Sequence, residues 1–428
     1  MTSKVISIRT GPNQPDPHPG RPCGPPGRLR IVADAAIPLL EDAFGPLGDL
    51  LALPADRITA EAVRQADALL VRSVTRVGAA LLAASRVRFV ATATIGVDHV
   101  DLGYLESRGI GFASAEGSNA RSVAEYVVAA LAVLAERGRW RLRDKRLGIV
   151  GCGRIGGLVA RMAEAIGMRV LRSDPPLERR TGGQGFVPIE AMAEADILTF
   201  HVPLTYVGTD ATHHMIGARL LAGLKDGAAV INTSRGAVAD TAALKEAFGG
   251  GGRLGDLVLD VWEGEPDLDP DLLDRTTLAT PHVAGYSYDG KVNGTRMVLE
   301  ALCRHFGLRR PWDPSPSMPP APRPEVRLPA GVGMDLALRL ATAAAYDIEA
   351  DDRRLRAIGR EPPLRAVWPE RRGRRFTALR AEYPVRREFR ETRVVLDAAD
   401  ADVAAALEAL GFPVVGHPAG GTAGKDAR

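Results

Sequence analysis

Cysteine is scarce in this chain of 428 residues, and Cys23, Cys152 and Cys303 show neither paired spacing nor the clustered spacing of a metal site. That argues against a disulfide framework and against a metal cofactor. A reduced, cytoplasmic protein is the simplest reading. No run of about 18 apolar residues exists that would span a bilayer. Charge of one sign is lacking too. A net charge of +3 is small for this length and argues neither for nor against an anionic partner. Residues 1–27, ending PNQPDPHPGRPCGPPG, lack the apolar run of a signal peptide and are expected to be a disordered extension.

What is present is ordinary globular material: 46% apolar and 25% charged residues, in a chain long enough for two or three domains. From Arg28 onward, strand and helix patterns alternate, which predicts parallel sheets with helices packed on them. RLRIVA, ADALLVRS and RFVATAT read as strands, and IPLLEDAFGPLG as a helix. Residues 118–137 form a long helix, with Ser118 or Asn119 as its cap. RLGIVG, RVLRSD, DILTFHVP, AAVINTS, LVLDVW and LATPHVAG then form a second doubly wound unit inserted into the first. Residues 286–308 are the helix that returns to the first unit.

Residues 311–329 hold eight prolines and predict an extended, semi-rigid spacer. Beyond it lie a helix around 333–350 and a short β-α-β run in TRVVLD, DVAAALEALG and FPVVG. Fourteen arginines fall between 353 and 393, against five glutamates. They are interleaved with apolar positions, as on amphipathic elements packing a core, and no nucleic-acid-binding motif accompanies them. The expected boundaries are 28–117 with 286–310, then 118–285, a linker over 311–330, a C-terminal domain over 331–418 and a disordered tail over 419–428.

Gly151-x-Gly153-x-x-Gly156 follows an apolar strand and opens a helix, and Asp174 ends the next strand. That setting makes a weak glycine pattern a dinucleotide fingerprint. The glycines let the backbone reach a pyrophosphate, and the helix N-terminus adds partial positive charge. Asp174 suits ribose hydroxyls and repels a 2′-phosphate, favouring NAD over NADP. The run Gly249–Gly252 follows a helix instead, and reads as a flexible loop.

Downstream come Arg235 in INTSRGAV, Glu265 in LDVWEGEP and His282 in TPHVAGYS. Each has a bland reading alone: a surface ion pair, a turn residue, a structural histidine. Together, in this order after the fingerprint, they are what oxidation of a 2-hydroxy acid requires. The guanidinium holds the carboxylate, the imidazole takes the hydroxyl proton, and the glutamate keeps the imidazole basic and oriented. His201, in TFHVPLT, is better placed to line the cofactor.

The strings GCGRIG, FHVPLT, INTSRGAV, LDVWEGEP and TPHVAGYS resemble the signatures of the D-isomer-specific 2-hydroxyacid dehydrogenases, over roughly residues 30–308. The resemblance implies an α/β fold of two doubly wound parallel-sheet domains, Rossmann-like and flavodoxin-like. It implies the substrate and proton-relay roles above for Arg235, Glu265 and His282. It places NAD contacts on Gly151, Gly153, Arg154, Ile155, Gly156, Asp174, Val202, Thr233, Ser234, Arg235, Asp260 and Gly285, with Asp260 facing the nicotinamide carboxamide.

One branch of that family, which oxidises a phosphorylated four-carbon hydroxy acid in vitamin B6 synthesis, is resembled more closely. VRSVT, TATIGVDHVD, SDPP and HVAGYSYDGKVNGT carry that likeness, as do AYDIEADDRRLR and YPVRREF in the C-terminal segment. It implies substrate contacts at Ser73, Thr94 and Tyr286, and a C-terminal α+β dimerisation domain, hence a homodimer. Ala35-Ala36 and Val202 depart from the family's polar residues at those places. A substrate with a carboxylate and a phosphate needs cations at both ends; Arg235 serves the first, and Arg72 or Lys291 the second. Two other readings are a sibling dehydrogenase acting on 3-phosphoglycerate, and an NAD-sensing corepressor using the same scaffold.

Overall fold

The computed structural model describes residues 28–249, 251–359, 368–397 and 400–416. The expected N-terminal extension, the tail and residues 360–367 of the arginine-rich stretch lie outside the described residues.

The first sheet is formed by β1 (Leu29–Asp34), β2 (Gly48–Leu53), β3 (Ala68–Val71), β4 (Phe89–Thr92) and β5 (Gly111–Ser114), parallel in the order β2-β1-β3-β4-β5. ALLV of β3 and FVAT of β4 are buried throughout, as central strands covered on both faces must be. Strands β2 and β5 are additions to those expected from the sequence. They are the edges: β2 leaves Leu51 48% exposed and β5 is only half-buried, so neither shows a fully buried apolar run. The helix expected in IPLLEDAFGPLG is shorter, Leu40–Phe44 followed by a 3-10 turn. The order reverses between β1 and β3, where doubly wound sheets open a crevice at their carboxyl edge. Asp34 and Arg72 stand there, with Arg72 Nε donating to Asp34 Oδ2 at 3.1 Å.

The second sheet contains β6 (Arg146–Val150), β7 (Arg169–Ser173), β8 (Ile197–Phe200), β9 (Ala229–Asn232), β10 (Leu257–Leu259) and β11 (Leu278–Ala279), parallel in the order β11-β10-β9-β8-β6-β7. Every expected strand is present, although LATPHVAG contributes only two residues, because the chain turns sharply at His282 (φ 58°). The helix Ala120–Gly138 is buried along nearly its whole length. Asn119 occupies its N-cap position but makes no side-chain capping bond. Its amide lies instead against Gly285, where a Cβ would collide with it, and its own Cβ and Cα crowd Gly290.

A third sheet, β12 (Glu325–Leu328), β13 (Arg393–Leu396) and β14 (Val414–Gly416), is also parallel, in the order β12-β13-β14. The β-α-β expectation holds for β13, the helix Ala401–Leu410 and β14. The spacer expectation does not hold throughout, because the end of the proline-rich segment pairs with β13 as an edge strand. Pro324 and Pro329 flank β12, and an edge tolerates their missing N–H groups.

This C-terminal module is not held at arm's length. Leu338, Phe389, Leu407 and Phe412 share one core with Val123, Tyr126 and Leu131 of the long helix. Asp352 accepts the Ala279 N–H at 2.8 Å, closing the exposed edge of β11. Buried Arg387 donates to buried Asp289 at 2.9 Å, and Tyr288 N–H donates to Arg386 O at 2.7 Å. Of the arginines expected to pack amphipathic elements, Arg386 and Arg387 are buried and fix the segment just after His282.

Candidate active site

The glycine turn after β6 is tight, open and close-packed, one property per glycine. Gly151 takes φ 86°, and a Cβ on it would lie 2.5 Å from His201 O. A Cβ on Gly156 would strike Gly151 O at 1.9 Å, so the helix Arg154–Ala165 can approach the strand only without a side chain there. A Cβ on Gly153 would meet nothing within 4 Å. Gly153 is the N-cap of that helix and gives it no side-chain cap, so no N-cap side chain occupies the N–H groups of the first turn. Asp174 lies against the same turn, accepting from Cys152 N at 2.8 Å and Leu177 N at 2.9 Å. Burial, and then Asp174, pushes the Cys152 thiol up to about 11, so it acts as a small filler and not as a nucleophile.

The other expected cofactor residues surround this turn and the next strand ends. Val202 lies beside Gly151, Ile155 packs on the core, and exposed Arg154 reaches Glu116 at 4.0 Å. Thr233 Oγ1 lies 3.4 Å from His201 Nδ1, and Ser234 Oγ donates to Asn232 Oδ1 at 2.7 Å. Burial pushes His201 down to about 3, so it is a neutral imidazole and unsuited to acid–base work at neutral pH.

Arg235, Glu265 and His282 follow β9, β10 and β11, three neighbouring strands of one sheet, so all three emerge at the same carboxyl edge. Asn232 shapes the arginine's turn, donating to Arg235 O at 3.0 Å. The guanidinium donates to Ser234 O at 2.8 Å and points at Gly96, where a Cβ would lie 3.0 Å from its terminal nitrogen. Arg235 therefore reaches from the second sheet to the loop after β4 of the first. It stands in the cleft between them.

His282 Nδ1 and Glu265 Oε1 are 2.5 Å apart, and the other glutamate oxygen accepts from Trp262 N at 3.1 Å. Burial alone would raise the Glu265 carboxyl. The His282 hydrogen bond and charge, the Trp262 N–H and the positive charge of Arg380 outweigh it and hold the carboxyl below its ordinary range. With Nδ1 engaged, Nε2 is the nitrogen left for substrate, and no described residue bonds it.

Asp260 fixes this loop from beneath. Its Oδ1 accepts from Thr280 Oγ1 at 2.6 Å and Val283 N at 2.7 Å, and its Oδ2 from Ala284 N at 2.9 Å. Gly285 follows, pressed against the Asn119 amide.

The residues expected to meet substrate follow strands of the first sheet or come just after His282. Ser73 is exposed, and Thr94 Oγ1 is 2.7 Å from Thr92 Oγ1. Lys291 Nζ stands 4.4 Å above the centre of the Tyr286 ring. Two residues that the sequence does not single out join them. Arg380 Cζ lies 5.5 Å from the same ring, and Tyr383 meets Tyr286 edge-to-face at 5.7 Å. Tyr383 belongs to the string YPVRREF, but Arg380 is one of fourteen arginines and nothing local distinguishes it. A metal-like trio, His213, His214 and Glu263, is explained without an ion, since His214 and Glu263 bond each other at 2.5 Å.

Residues 127–284 match the family model described as D-isomer specific 2-hydroxyacid dehydrogenase, NAD binding domain, and residues 317–411 match a domain of unknown function. The chain is 48% identical over 381 residues to the erythronate-4-phosphate dehydrogenase of Salinibacter ruber, covering 86% of this chain and 94% of that protein. It is 44% identical over 394 residues to the enzyme of the same name from Chromohalobacter salexigens, covering 90% and 99%. Among solved structures, it resembles the D-lactate dehydrogenase of Aquifex aeolicus complexed with NAD and lactic acid. That match has a TM-score of 0.52 and 25% identity, over 65% of this chain and 96% of that one.

Proposed function

The chain belongs to the erythronate-4-phosphate dehydrogenases of the D-isomer-specific 2-hydroxyacid dehydrogenase family, and we infer from that membership the reaction it performs. It oxidises 4-phospho-D-erythronate to (3R)-3-hydroxy-2-oxo-4-phosphooxybutanoate with NAD, in pyridoxal 5′-phosphate synthesis. The observation that carries this reading is the cleft itself. It holds a guanidinium and a glutamate-bound imidazole beside an uncapped helix N-terminus, with a cluster of cations around Tyr286.

The residues present suit NAD. The open space at Gly153 admits a pyrophosphate, and Asp174 stands where the adenine ribose would lie. Arg154, Ile155, Val202, Thr233, Ser234 and Gly285 line the remainder, and Asp260 Oδ2 keeps a lone pair for the carboxamide. When bound, NAD supplies the acceptor for the hydride from C2. Arg235 grips the substrate carboxylate by a two-pronged hydrogen bond and so orients C2. His282 Nε2 takes the proton of the C2 hydroxyl. Glu265, already holding Nδ1, balances the positive charge that the ring acquires. Ser73, Thr94 and Tyr286 contact the substrate chain, and Arg72 and Lys291 receive its phosphate.

In this reading residues 28–117 with 286–310 form the lid, 118–285 the NAD domain, and 331–418 a dimerisation domain reached through 311–330. A homodimer follows from that last assignment. No described helix is long and apolar enough to cross a membrane. Cys152 and Cys303 are both free thiols, which suit a reducing compartment, and we place the enzyme in the cytoplasm.

NAD reduction compared across 4-phosphoerythronate, 3-phosphoglycerate and unphosphorylated erythronate tests the assignment. The expected order puts 4-phosphoerythronate first, by about tenfold or more in kcat/KM over either alternative. Turnover confined to 3-phosphoglycerate would overturn it.

A further inference from the structure

We propose that Arg380, supplied by the C-terminal module, is the third cation of a phosphate-binding subsite shared with Arg72 and Lys291, and that it selects phosphorylated over unphosphorylated 2-hydroxy acids. The inference rests on the function proposed above and goes further. It gives a catalytic-site task to a module matched only by a domain of unknown function.

Two separate parts of the fold converge on the Tyr286 ring, and Arg72 is near enough for its charge to bear on Lys291. Arg72 follows β3, Lys291 sits in the helix Tyr288–His305, and Arg380 sits in the helix Trp368–Ala381. Lys291 Nζ and the Arg380 guanidinium share the Tyr286 ring, at 4.4 and 5.5 Å from its centre. Lys291 also lies 5.9 Å from the Tyr383 ring. Tyr383 is itself pinned by its hydroxyl, which donates to Asp351 Oδ2 at 2.6 Å.

The anions near this point are already engaged. Asp34 is bound to Arg72, Asp351 also receives Tyr346 and Arg354, and Glu265, close enough to feel the Arg380 charge, is held by His282 and Trp262 N. Neither Lys291 nor Arg380 has an ion-pair partner among the described residues. Arg380 Nε is buried, with no hydrogen-bond partner among them either. A buried donor without an acceptor carries an uncompensated desolvation cost, larger when the group is charged. Three like charges brought together add repulsion to that cost. An arrangement so unfavourable when empty becomes favourable when a dianion enters it.

The titration of Lys291 supports the same grouping. Burial first, then the charges of Arg72 and Arg380, push it down to about 8. The groups bearing on it are Arg72, Arg380 and the rings of Tyr286 and Tyr383, and Arg72 is in turn bound to Asp34. Lys291 is cationic below pH 8 and loses its charge as pH rises, so the grip on phosphate weakens in that direction. Arg380 also helps hold the Glu265 carboxyl low, which places its charge close to the catalytic pair.

The test is steady-state kinetics of full-length Arg380→Met and Arg380→Lys with 4-phosphoerythronate and erythronate, alongside NAD affinity as a check of folding. For Arg380→Met, KM for the phosphorylated acid should rise about 10- to 100-fold with little change in kcat, and the preference for it over erythronate should fall by the same factor. Arg380→Lys should recover part of the loss. The pH above which KM climbs should also move upward in Arg380→Met, because one of the charges depressing Lys291 is gone. An unchanged KM, or an equal loss on both acids, would overturn the role of Arg380 alone. A wild-type enzyme indifferent to the phosphate would sink both this inference and the functional reading beneath it.

Discussion

Replacing His282 by alanine is expected to lower kcat by about 10²- to 10⁴-fold while leaving NAD affinity within a few-fold of wild type. The imidazole is the one group in the cleft with a nitrogen both unengaged by described residues and backed by a carboxylate, 2.5 Å away on the other side of the ring. The variant should fold. The loop is held by Asp260, which accepts the N–H groups of Val283 and Ala284, and these bonds do not involve the histidine side chain. Glu265→Gln should lower kcat in the same direction, since an amide orients the ring but cannot balance its positive charge. Steady-state NADH formation and NAD titration measure both effects. A His282→Ala enzyme with an unaltered rate would remove the proton relay from the account.

Arg235→Lys should lose about 10²- to 10³-fold in kcat/KM, carried mainly by KM, although the charge is kept. Lysine offers a point charge where the site calls for a planar fork. One guanidinium nitrogen is already committed to Ser234 O, and another projects toward Gly96 across the cleft. A lysine amine cannot satisfy its own turn and grip both oxygens of a carboxylate. NAD affinity should hold, since Asn232 and not the arginine side chain shapes the turn. A KM within about threefold of wild type would put the substrate carboxylate elsewhere.

Much of the fold and the site is legible in the sequence, for reasons that differ by element. The central strands announce themselves as buried apolar runs, and the catalytic residues lie just beyond such strands, so finding the strand finds the residue. The edges β2 and β5 escape, because partial exposure removes the signal that identifies a strand. The third sheet begins inside a proline-rich segment whose composition reads as a spacer; only pairing with β13 reveals β12 as a strand.

Arg380 is beyond the reach of sequence pattern for a different reason. Its role depends on tertiary contacts with Tyr286 and Lys291, far away in the chain, and its own neighbourhood is crowded with arginines of structural use. Arg386 and Arg387 illustrate that use, both buried and bonded to Ala284 O and Asp289. Local pattern distinguishes helix from strand, but not one arginine of an amphipathic stretch from another.

The central claim is that this cleft removes hydrogen from C2 of a phosphorylated four-carbon acid. The most direct measurement gives the purified enzyme NAD and 4-phospho-D-erythronate carrying deuterium at C2, and follows both products by mass spectrometry. The account predicts one 2-oxo acid for each NADH formed, with the deuterium carried by the reduced nicotinamide. Deuterium released to water, or no turnover of this acid while 3-phosphoglycerate is oxidised, would contradict it.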